Sequence, residues 1–272
     1  MFSPYYRRAR GRGAGDPLAH CALNVALYGA SGPGWALTER LPQAVRRSAT
    51  ELVLGPSSLR WEGDVLRIEI DEVTVPWPRR LRGTVRVEPL FFGQRRLALD
   101  AAGTHRWWPV APLAQVTVEL TRPDLRWSGR GYLDSNEGDA ALEDGFTNWD
   151  WSRAETGDGT TILYDAQWRG GGGRTIALTC HPTRGIEEIT PPPPVRLPPT
   201  RWRLPRTTRS EAPEAVRIAA SWEDGPFYAR SLLATHLLGA PAMGVHESLS
   251  LDRFVQPVVQ LMIPFRMPRA WR

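Results

Sequence analysis

QVTVELTRPDLRWSGRGYLDSNEG occupies residues 115–138 and carries two runs of alternating character. Val116, Val118 and Leu120 fall on one side of the first run, with Gln115, Thr117 and Glu119 on the other. A period of two is the signature of a half-buried strand. Pro123-Asp124 between the runs supplies turn chemistry, so the stretch predicts two antiparallel strands, 115–120 and 125–133. The end of the second run leaves two readings open. Asp134 precedes Ser135, Asn136 and Gly138, and by composition it is a turn residue facing water. By strand geometry Asp134 shares a face with Tyr132, two residues earlier, which would make it an acid on an inward face.

The same period recurs outward from this stretch. HCALNVALYG (20–29) and DVLRIEIDEVTV (64–75) alternate, and RGTVRVEPLFF (82–92) follows a Pro-rich break. TTILYDAQW (160–168) follows the Gly-Asp-Gly of a hairpin turn at 157–159. AVRIAASWEDGPFYARSLL (215–233) and GVHESLSLDRFVQPVVQLMIPF (244–265) are also strand-like. Helical candidates are confined to short pieces near 139–144 and 225–233. Many short strands with regular turns predict an all-β chain of antiparallel barrels or sandwiches. RGGGGR (169–174) and TPPPPVRLPPT (190–200) form a seam, because Pro is excluded from central strands. Two domains are therefore expected, 1–187 and a smaller 188–272.

Composition excludes several chemistries. All 34 basic residues are Arg, so Schiff-base and lysine-nucleophile mechanisms are ruled out. The net charge of +5 is spread among acids rather than gathered into a groove, which argues against a nucleic-acid partner. Cys21 and Cys180 form no CxxC, and the five His residues show no HExxH spacing. No P-loop, GxGxxG or GxSxG is present, so no metal or cofactor is expected. No run approaches the roughly 20 apolar residues needed to span a bilayer. The basic start, MFSPYYRRARGRG, lacks the apolar core of a signal peptide, which points to the cytoplasm. Asp71, Glu72, Asp144 and Asp150 are read as surface charges.

Twelve Trp residues stand out. His105 and Trp107 share a strand face, with Trp108 beside them, and Trp149 and Trp151 share another. Each of these is also an ordinary core aromatic or structural His in a β protein.

Taken together, FSPYY, DPLAHCALNVALYG, LGPSSLRWEGDVLRIEIDEV, HRWWPVAP, GRGYLDSNEGDAALEDGFTNWDWSRA and GVHESLSLDRF resemble the carotenoid 1,2-hydratase (hydroxyneurosporene synthase) family. That family lies within a lipocalin-like, two-barrel superfamily. The wider pattern is aromatic-x-Asp, then Trp-x-Trp, then a DG hairpin. Here these are Tyr132-Leu133-Asp134, Trp149-Asp150-Trp151 and Asp158-Gly159. Family members begin upstream of FSPYY, so the first barrel is expected to lack N-terminal strand sequence.

The resemblance implies a cofactor-independent hydro-lyase that adds water across the terminal C1=C2 bond of neurosporene or lycopene. It implies Asp134, His105, Tyr132 and Trp107 as catalytic residues, with His105 orienting Asp134. Trp149, Trp151, Trp108, Asn24, Tyr28 and Trp35 are expected to line the substrate site. A hydrocarbon substrate implies peripheral association with the inner or photosynthetic membrane. The C-terminal FVQPVVQLMIPFRMPRAWR, with Arg266, Arg269 and Arg272, is a candidate contact, or else a last strand with a basic tail. Alternatives are a non-catalytic lipid- or carotenoid-binding barrel, or an isomerase or cyclase on the same scaffold. The sequence carries no signal for oligomeric state.

Overall fold

The computed structural model describes residues 2–29 and 34–270. The chain is dominated by antiparallel strands and forms two compact units. The first holds residues 1–89, 114–131 and 260–272, and the second holds 90–113 and 132–259. The expected division at 187 falls inside the strand Gly185–Glu188. Strands from both sides of that point pair into one sheet.

In the first unit, a meander runs through Val45–Arg47, Glu51–Leu54, Ser57–Glu62, Val65–Val73 and Arg80–Pro89. Residues 114–122 of the long strand His105–Arg122 and 124–131 of Asp124–Gly138 continue it, and the remaining residues of both strands belong to the second unit. Ala22–Leu27 pairs with Gly34–Arg40 in a separate small sheet. Alternation explains the core. Ile70, Leu81, Val118 and Leu120 are buried together, with Val25, Leu27 and Val116 packed against them. Each such side chain contributes about 1.5–3 kcal/mol by leaving water. Two expectations about acids are corrected here and in the second unit. Glu72 is buried, held by Arg40 at 2.6 Å and by the Ser57 hydroxyl at 2.7 Å. Asp150 is buried as well.

The second unit is a seven-stranded sheet. Its spatial order is Gly185–Glu188, Gly173–His181, Gly159–Trp168, Phe146–Thr156, Ala240–Ser250, Tyr228–Leu237 and Arg217–Asp224. The pairing path is open in both large sheets, so neither closes as a barrel. Their edges are managed otherwise. Gly185–Glu188 is short, and Arg217–Asp224 carries two register shifts, which blunt it as a template for another strand.

Three local expectations are also corrected. Residues 225–233 are not helical, because Tyr228–Leu237 ladders against Ala240–Ser250. The strand containing Asp134 does not stop there but continues to Gly138. Residues 251–262, read as strand-like, turn helical over Leu251–Phe254 and Pro257–Met262, and only the short Arg269–Ala270 of the C-terminal segment is a strand, pairing in parallel with Gly34–Arg40.

Candidate active site

The site grows from the alternation of three strands in the second unit. Trp149, Trp151 and Arg153 point to one face of Phe146–Thr156, and Asp150 to the other. An extra residue, Thr147, breaks the register between Phe146 and Asn148. It lets Phe146 join the tryptophan face despite odd spacing, with its ring 6.4 Å from that of Trp149. Tyr164 lies directly across from Trp151, and its ring is 5.5 Å from Trp107 and 6.2 Å from Trp149. Tyr132 packs on Trp151 at 5.4 Å, and the Arg153 guanidinium lies 5.5 Å from the Tyr132 ring centre.

Asp134 sits at the focus of this aromatic face. The Trp107 indole donates from Nε1 to Oδ2 at 2.8 Å, and the Tyr132 hydroxyl donates to the same oxygen at 2.9 Å. Both donors converge on Oδ2, so Oδ1 is the oxygen left to carry a proton. Burial pushes the Asp134 carboxyl above its ordinary range. The bonds from Trp107 and Tyr132 oppose that rise, nearby Glu247 adds to it, and Arg230 opposes it. Tyr132 is driven well above the ordinary phenol value by burial and by Asp134, so it remains a hydroxyl donor. Asp134 is half-buried, so it combines desolvation with a remaining open edge.

His105 is placed differently from expectation. Its Nδ1 bonds Asp100 Oδ2 at 2.7 Å, and its Nε2 bonds the Ala140 carbonyl at 3.1 Å. Both ring nitrogens are thus engaged, and among the described residues His105 makes no hydrogen bond to Asp134. The ring is also edge-on to Phe146, with centroids 5.0 Å apart. A Cβ at Gly138 would come within 2.6 Å of the ring, so the end of the Asp134 strand must be glycine to pass His105. Burial pushes the Asp100 carboxyl up, but hydrogen bonds from the His105 side chain and the Thr104 and His105 amides bring it below its ordinary value. His105 therefore braces the strand ends that carry Trp107 and Asp134.

The other expected residues divide. Trp149 and Trp151 belong to the aromatic face. Trp108 alternates away from Trp107, donating to the Gly93 carbonyl at 2.7 Å beneath Arg96. Asn24, Tyr28 and Trp35 belong to the first unit. Asn24 is exposed there, and Trp35 lies beneath Arg266, whose guanidinium is 4.3 Å from the ring centre. Sequence reasoning missed Tyr164, Arg153, Arg230 and Glu247. The available signal was a charge on the apolar side of a strand, Glu247 between Val245 and Leu249.

Asp150 faces a cavity of about 690 Å³ on the opposite side of the sheet, lined also by Arg196, Arg206 and Thr207. Thr207 and Ser248 donate to its carboxylate, and His246 stands 3.8 Å away. Burial pushes Asp150 up to about 6. A carboxyl raised on folding favours the native state when protonated. That stabilisation is full below the unfolded value near 4 and is lost as pH climbs through about 6. The wild type is therefore expected to lose about 3 kcal/mol relative to Asp150→Asn between pH 4 and 7. Urea unfolding of both proteins across that range checks this, and parallel stability curves would refute it.

Among solved structures, one assigned to AttH of Nitrosomonas europaea shares the fold. It is 15% identical with a TM-score of 0.59, covering 83% of this chain and 79% of that one. The acyclic carotenoid 1,2-hydratase of Thiocapsa roseopersicina is 55% identical over 270 residues, which is 99% of this chain and 67% of that protein. The protein of the same name from Rubrivivax gelatinosus is 46% identical over 272 residues, again 99% and 67%. The model of the carotenoid hydratase CrtC family matches residues 1–272, and the chain belongs to that family.

Proposed function

We propose that this chain adds water across the terminal C1=C2 bond of an acyclic carotenoid, with Asp134 as the proton donor. The observation that carries the reading is a carboxyl raised by burial whose Oδ2 already holds two donors. An alkene is a very weak base, so the acid must be protonated before transfer and its anion stabilised during transfer. Desolvation meets the first demand. Trp107 and Tyr132 meet the second, since their hydrogen bonds strengthen as Oδ1 releases its proton.

The reaction balances without an external redox partner. The Asp134 O–H bond breaks, a C2–H bond forms, and the alkene electrons leave a tertiary cation at C1. Water then forms the C1–O bond and loses a proton. The faces of Trp107, Tyr132 and Trp151 offer the cation about 0.5–2 kcal/mol each without a nucleophile to trap it. In this reading His105 is a positioning residue, acting through the strand ends it braces. Incubation with lycopene or neurosporene, followed by mass analysis, is expected to show product one water heavier. Recovery of bound but unchanged carotene would favour a binding protein instead.

The substrate partitions into membrane, and we assign the collecting surface to the C-terminal segment. No helix among the described residues is long and apolar enough to cross a membrane. Leu261 and Phe265 are 73% and 81% exposed. The arginines beside them are engaged within the protein. Arg266 covers Trp35, and Arg269 bonds Glu39 and the Ala19 carbonyl. Arg272 lies outside the described residues. Apolar insertion therefore carries the contact, more than charge. Leu261→Asp with Phe265→Asp is expected to weaken vesicle binding at least 10-fold, because each apolar side chain contributes about 1.5–3 kcal/mol. Co-sedimentation should show this with neutral and anionic vesicles alike. Unchanged binding by the double variant would remove the assignment.

A further inference from the structure

We infer that Glu247, set by Arg230, is the base that takes the proton from the water attacking C1. The inference rests on the hydratase reading above and assigns the half of that reaction which Asp134 leaves open.

Strand register carries the argument. Glu247 lies directly across from Trp151, and Arg230 directly across from Glu247. Directly paired residues share a face, so both belong to the face that holds Trp149, Trp151 and Tyr164. Neighbouring strands are about 4.8 Å apart, which places Glu247 one strand from the indole that packs on Tyr132. Tyr132 in turn bonds Asp134. Glu223 extends the same row, but beyond Arg230 on the edge strand and two strands farther from Trp151. Asp150, between the tryptophans in sequence, faces the other way. Glu247 is thus the second carboxyl beside the aromatic face, and its charge is felt at both Asp134 and Tyr164.

A carboxylate amid aromatic side chains is costly unless paired. Arg230 meets that need through Oε1, donating from Nε at 2.9 Å and also from Nη2. Both of these bonds use Oε1, which leaves Oε2 to receive a proton. The side chain retains 20% exposure, so water can reach it. One carboxyl raised by burial and a second paired with a guanidinium divide acid and base between two sites.

The step balances as follows. Asp134 gives its proton to C2. Water donates a lone pair to C1, and one of its O–H bonds breaks as Glu247 Oε2 accepts the proton. Exchange with solvent returns Glu247 to carboxylate and Asp134 to acid. No oxidant or reductant is required.

Glu247→Gln separates protonation from water capture. In deuterated water, Asp134 delivers deuterium to C2. A cation that is not captured reverts by returning the original C2 proton to Asp134, leaving deuterium in the recovered alkene. The variant is expected to lose about 100-fold in hydration, while recovered carotene still gains deuterium. Glu247→Asp is expected to restore part of the hydration. Wild-type hydration in Glu247→Gln would overturn the assignment. So would joint loss of hydration and exchange in a folded variant, since Glu247 would then serve protonation. Should the single variant fail to fold, Arg230→Gln with Glu247→Gln removes both charges and gives the same readout. Failure of the hydratase reading itself looks different, because the wild type would then neither hydrate nor exchange.

Discussion

Asp134→Asn is expected to reduce hydration of lycopene by at least about 100-fold, within the usual 10²–10⁴-fold worth of a general acid. The substitution nearly preserves shape. The amide oxygen can still accept from Trp107 and Tyr132, so the strand and its aromatic partners have no reason to move. Only the transferable proton is lost. Near-UV circular dichroism should match the wild type, and product formation should not. Full activity with an unchanged pH profile would sink the acid assignment. The pH sign follows from the raised carboxyl. The acid form is the competent one, so the wild-type rate is expected to fall as pH rises through the Asp134 value, above the ordinary carboxylate range.

Arg40→Met is expected to cost about 3–5 kcal/mol of stability, the typical result of stripping one partner from a buried ion pair. Arg40 and Glu72 have side chains only 6% and 1% exposed. Without the guanidinium, Glu72 is left with the Ser57 hydroxyl and must stay charged in poor solvent or bind a proton. Removing both charges with Arg40→Met and Glu72→Leu should recover much of the loss, because the pair itself is expensive to bury. Urea midpoints measure this, and a shift under 1 kcal/mol for the single variant would contradict it.

The strands were legible because one face of each is buried. DVLRIEIDEVTV alternates, and Val65–Val73 forms the expected strand. The same alternation made Tyr132 and Asp134 a possible pair, which the 2.9 Å bond realises. Residues 225–233 misled because their apolar positions suit either period, and pairing with Ala240–Ser250 decided between them. Glu72 and Asp150 were misread for a related reason. A charge in a strand says nothing of whether a partner 32 or 57 residues away will bury with it. The partner of His105 was hidden because Asp100 meets it through a loop, where periodicity gives no direction.

The extra residue at Thr147 has a consequence for how this site can change. A strand offers two settings, and Thr147 fixes which one the tryptophans take while keeping Phe146 against His105. Upstream of it lies the brace, and downstream lies the tryptophan wall. The bulge acts as a phase joint, so substitutions that reshape the wall for another chain length or end group leave the brace in step.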